Sequence, residues 1–92
     1  MAEDENAPND DAFAATIEEL RKGHESAVLI EGAPEGIAFT PVSNSVKSRR
    51  AFHEFAKRVV EANGQGLKVR KKRREGTTRY KFIDRLVVAP LD

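Results

Sequence analysis

LKVRKKRREGTTRYKFIDR, residues 67–85, is the stretch on which the reading of this chain turns. Apolar and basic residues alternate on either side of Glu75-Gly76, the pattern of two strands joined by a tight turn. Successive strand residues point to opposite faces, so the alternation predicts one face made of Leu67, Val69, Tyr80 and Phe82. The other face then carries Lys68, Arg70, Lys72, Arg74, Arg79 and Lys81, all cations with no acid among them. With Glu75-Gly76 as the loop, Arg74 faces Thr77, Lys72 faces Arg79 and Arg70 faces Lys81. A register shift by two residues preserves these faces, whereas a bulge reverses the facing beyond it. Like charges opposed across strands destabilise a sheet, so an anionic ligand is the natural relief. The plain alternative is an edge ribbon kept soluble by Lys and Arg, although ordinary solvated faces mix both signs. The run Lys71-Lys72-Arg73-Arg74 also has the composition of a nuclear localisation signal, but such signals are read in extended segments rather than inside a regular hairpin.

Upstream of the hairpin the apolar period changes from two to 3.6. Phe52, Phe55, Ala56, Val59 and Val60 make one helical stripe, with Ser43, Asn44 or Ser45 as N-cap and Asn63-Gly64 as the stop. Lys47, Arg49 and Arg50 fall in the first turns, where the helix dipole disfavours cations. A bound phosphate would reverse that sign; otherwise these side chains extend to water or pair with the acidic half of the chain. Strands are expected over 26–31 and 37–42, joined by the turn-rich loop 32–36, with Pro41 placing the second strand at an edge or ending it. A first helix capped at Asn9, Asp10 or Asp11 runs to about Lys22, with Phe13, Ile17 and Leu20 as its apolar stripe. Val87 and Val88 pack as a short extension before Pro90.

The order is thus α-β-β-α-β-β. It predicts an α+β fold, an antiparallel sheet of about four strands with two helices on one face and the basic face open. Residues 1–9 read as a disordered acidic tail, 10–89 as a single small domain and 90–92 as a C-terminal tail.

A formal net charge of +1 hides an asymmetry. Residues 1–42 hold two Lys or Arg against ten Asp or Glu, net −8, and residues 43–92 hold fourteen against five, net +9. Local field, not mean charge, is what steers a partner. Cysteine is absent, the apolar run Ala27-Val28-Leu29-Ile30 is far too short for a membrane span, and the acidic start is unlike a signal peptide. A cytoplasmic protein with no membrane partner is expected.

Catalytic signals are weak. His24 and His53 lie in different elements, and His24-Glu25-Ser26 cannot form a relay because adjacent strand residues point apart. Neither histidine has a second ligand at a metal-site spacing, and Gly64-Gln65-Gly66 follows a helix, the wrong context for a phosphate loop. No enzyme activity, cofactor or metal is expected. The aromatics Phe13, Phe39, Phe52, Phe55, Tyr80 and Phe82 are all assigned to the core, leaving no platform for unpaired bases. The expectation is therefore a small nucleic-acid-binding protein with a regulatory role, favouring duplex DNA and then structured RNA. Lys68, Arg70, Lys72, Arg74, Arg79 and Lys81 would contact phosphates, supported by Lys47, Arg49 and Arg50. The alternative is an inhibitor or adaptor that docks on a host protein, its acidic half imitating nucleic acid and its hairpin gripping an acidic partner. An acidic tail folded over the basic face would be autoinhibitory. A monomer or a strand-paired homodimer suits either reading.

Overall fold

The predicted stripe of α2 (Val46–Glu61) is the centre of the molecule: Phe52, Phe55, Ala56 and Val59 are fully buried. In this computed structural model the backbone is described for residues 2–34, 36–77 and 79–91, with side chains from residue 12 onward. Ser45 caps α2, its side chain accepting from the Ser48 N–H at 3.0 Å. At the other end Asn63 Oδ1 accepts from the Val69 N–H at 2.8 Å and the Gly64 N–H donates to the Leu67 carbonyl at 2.8 Å. The helix exit is thereby tied to the start of the following strand.

Around α2 lie α1 (Ala2–Arg21), a 3-10 turn (Glu25–Ala27), β1 (Val28–Ala33), β2 (Gly36–Pro41), β3 (Lys68–Gly76) and β4 (Lys81–Ala89). The expected α+β order and four-stranded antiparallel sheet are present, with strand order β1-β2-β4-β3. The chain leaves β2, crosses through α2 and returns as β3, so β2 and β3 run parallel with β4 between them. Phe39, Leu86, Val88, Ile83 and Leu67 meet the α2 stripe, and Phe13, Ile17 and Leu20 of α1 join the same cluster. Phe39 and Phe55 pack edge to face at 5.1 Å.

Several boundaries moved for identifiable reasons. The strand expected from residue 26 starts at Val28, because His24 to Ala27 form a hydrogen-bonded 3-10 turn. β2 is interior rather than an edge and ends at Pro41, the other expectation for that residue: its pairing with β4 covers only Ile37 to Phe39, and Pro41 sits beyond it, where a missing N–H costs that ladder nothing. Val87 and Val88 belong to the body of β4, opposite Ala38 and Ile37. Gly36 has φ +152, and a Cβ there would run into the Val88 carbonyl. α1 is assigned from Ala2, ahead of the cap expected at Asn9 to Asp11. The expected tail, residues 1–9, has its side chains outside the described residues.

Candidate nucleic-acid interface

Two irregularities in the β3–β4 ladder decide where the cations point. Val69 pairs with Val88 and Lys71 with Val87, so Arg70 is one residue too many on β3. Arg73 pairs with Arg85 and Arg74 with Ile83, so Asp84 is one too many on β4. Such bulges reverse the facing of everything beyond them. Cross-strand partners share a face. Lys72, opposite Leu86, and Arg74, opposite Ile83, therefore lie on the helix side, and Lys81 joins them two residues before Ile83. Lys68, Lys71 and Arg73 pair with Ala89, Val87 and Arg85 on the outer side.

The single basic face expected from strict alternation is corrected accordingly. Of its six cations, Lys68 is outside, Arg70 sits in the bulge, and Lys72, Arg74 and Lys81 turn towards α2. Arg79 is exposed in the connection between the strands. That connection is longer than Glu75-Gly76: Gly76 pairs with Lys81, and none of the pairs Arg74–Thr77, Lys72–Arg79 or Arg70–Lys81 forms. Gly76 adopts φ +127, and a Cβ would collide with the Tyr80 carbonyl, so only glycine closes this turn without strain. Tyr80 falls outside the ladder, its N–H donating to Thr77 Oγ1 at 3.1 Å. Its expected core position is wrong: Tyr80 is 61% exposed.

The outer side mixes both signs. The Arg73 Nε donates to Asp84 Oδ1 at 3.3 Å and lies 3.8 Å from Glu75. This hydrogen bond, with the attraction of Asp84, holds the Arg73 proton more tightly than usual. Arg85 and Glu31 form an ion pair at 3.7 Å that passes over β2 and its buried Ala38. The outer side is therefore not a face without acids.

The helix side is different. His53, Lys57, Val60 and Glu61 of α2 face Lys72, Arg74, Lys81 and Ile83 across an open groove. Four lysine or arginine side chains share it with one carboxylate. The Nδ1 of His53 accepts from the Ile83 N–H at 3.0 Å, on the part of β4 beyond its pairing with β2, and its ring meets Phe82 edge-on at 5.7 Å. Burial pushes the His53 pKa below its ordinary value; Glu54 opposes this, while Lys57 and Arg74 push it further down. With Nδ1 accepting, the neutral ring keeps its proton on Nε2.

At the start of α2, Lys47 and Arg50 are exposed, and the Arg49 guanidinium lies 5.9 Å from the Phe82 ring centre. The serine hydroxyls at this helix end are engaged with each other: Ser43 Oγ lies 3.1 Å from Ser45 Oγ and 2.7 Å from Ser48 Oγ. Sequence reasoning missed His53, Lys57 and Tyr80. His53, Lys57 and Glu61 stand at i, i+4 and i+8, a row flanking the apolar stripe, and that spacing could have revealed them.

No family model, curated protein or solved structure matches this chain. Among the described residues no helix is long and apolar enough to cross a membrane.

Proposed function

We propose that this is a small cytoplasmic nucleic-acid-binding protein that acts by binding, in a regulatory role, and catalyses no reaction. The observation that carries this reading is the groove in which Lys57, Lys72, Arg74 and Lys81 converge, with Glu61 as the one carboxylate among its described lining residues. Concentrated positive potential on a two-stranded ribbon suits a phosphate backbone, and such a ribbon has the dimensions of a duplex major groove. Duplex DNA is the first ligand to test and structured RNA the second. Lys68, Arg70 and Arg79, with Lys47, Arg49 and Arg50, would extend the contact beyond the groove.

Fluorescence anisotropy with duplex DNA, duplex RNA and single strands at two salt concentrations tests this directly. Binding that weakens steeply with salt is expected, close to one unit of log–log slope per phosphate contacted. Absence of binding at low salt would overturn the reading. The net charge of −8 over residues 1–42 favours a second reading, a factor docking on a protein partner. A stoichiometric protein captured from nuclease-treated lysate, with no oligonucleotide binding, would establish that alternative.

A further inference from the structure

Beside the groove, the connection between β3 and β4 and the first turns of α2 leave a crevice of about 400 Å³ lined by Val46, Arg49, Arg50, Tyr80 and Phe82, with Gly76 and Thr77 completing its wall. Its lining is unusual for this molecule. Val46 is 58% exposed and Tyr80 61%, two of the few large apolar side chains left in solvent, and they converge on one place. Phe82 adds a half-buried ring held from behind by the edge-on His53 and faced by the Arg49 guanidinium. Exposed aromatic surface costs stability without a compensating contact in the free protein, and here it is flanked by two guanidiniums.

We infer that this crevice takes an unpaired nucleobase, stacked against Tyr80 and Phe82, with Arg49 and Arg50 on the phosphate that adjoins it. The inference rests on the nucleic-acid reading and deepens it: the groove would hold the backbone, and the crevice would select strands that carry a free base next to it. Charge selects the occupant. Two arginines beside two aromatic rings suit a flat ring attached to an anion, which is what each nucleotide of an unpaired strand presents. A purely apolar occupant would leave both guanidiniums unused. Gly76, which closes this turn without strain, and the Thr77 hydrogen bond together fix the Tyr80 backbone beside the crevice.

Tyr80 is the only tyrosine and the chain has no tryptophan, so its intrinsic fluorescence reports on this crevice alone. The full chain is titrated with a blunt DNA duplex, the same duplex carrying a short single-stranded overhang, and the single strand. Overhang and single strand should quench Tyr80 while the blunt duplex does not, and the overhang should bind roughly 5- to 100-fold more tightly than the blunt duplex. Tyr80→Leu should bring the overhang down to the blunt-duplex affinity, whereas Tyr80→Phe should retain the preference. Equal affinities with unquenched Tyr80 would overturn the crevice and leave phosphate binding by the groove intact. Failure of all three oligonucleotides to bind at low salt would overturn both.

Discussion

The two ends of the β3–β4 hairpin obey different rules although the sequence between them is continuous. At the base, Leu67, Val69, Leu86 and Val88 lie under α2 and alternate with outer residues, while β2 pairs with the far side of β4. From Arg73 onward the strands pair only with each other, two bulges have shifted the facing, and Arg74 and Lys81 stand beside Ile83 on the helix side. The base has burial to gain from regular pleating. Beyond Ile83 the tip has little, so ion pairs, the Gly76 turn and the contact of His53 with Ile83 set its shape.

The largest expected contrast lies in stability. Leu86→Ala at the fully buried base should cost about 2–5 kcal/mol, measured by urea denaturation. In the groove, Lys72→Ala, Arg74→Ala and Lys81→Ala combined should leave the protein folded. The same triple variant should make the log–log salt slope of nucleic-acid binding shallower by about 2.7 units. Arg73→Ala with Arg85→Ala, on the balanced outer side, should scarcely alter that slope and instead lower stability, since Asp84 would be left buried without its guanidinium. An equal loss of slope from both variants would remove the distinction between the two sides.

Gly76→Ala tests the turn on a finer scale. It should cost at least about 1 kcal/mol, because the strained φ and the Tyr80 carbonyl both oppose a side chain. The smallest effect is that of pH. His53 has a lowered pKa in the folded state, so folding releases protons from it. Its contribution to stability is fully present above the unfolded value of about 6.5 and declines as pH falls from there through the lowered folded value. Urea midpoints should therefore drop on acidification across that window, and His53→Gln should flatten the dependence. Phosphate bound in the groove should offset Lys57 and Arg74 and raise the His53 pKa, visible by NMR titration.

How much was legible follows from which interactions were local. The period of Phe52, Phe55, Ala56 and Val59 is a property of one helix, and it located α2 and its buried face. The alternation at Leu67 and Val69 likewise placed the start of β3. Beyond that point the facing of each cation depended on Arg70 and Asp84 being skipped by partners on another strand, and nothing in the run of lysines and arginines marks either residue as the extra one. Lys57 and His53 became part of the site only because α2 docks beside the part of β4 beyond its pairing with β2. By itself, the sequence determined the element order, the charge asymmetry, the absence of cysteine and the apolar stripes, because each is written in spacing along the chain. Tertiary structure alone decided that Lys72, Arg74 and Lys81 meet α2 and that Tyr80 stands in solvent. A ladder's register is an agreement between strands, and a single bulge is enough to turn a side chain to the other face.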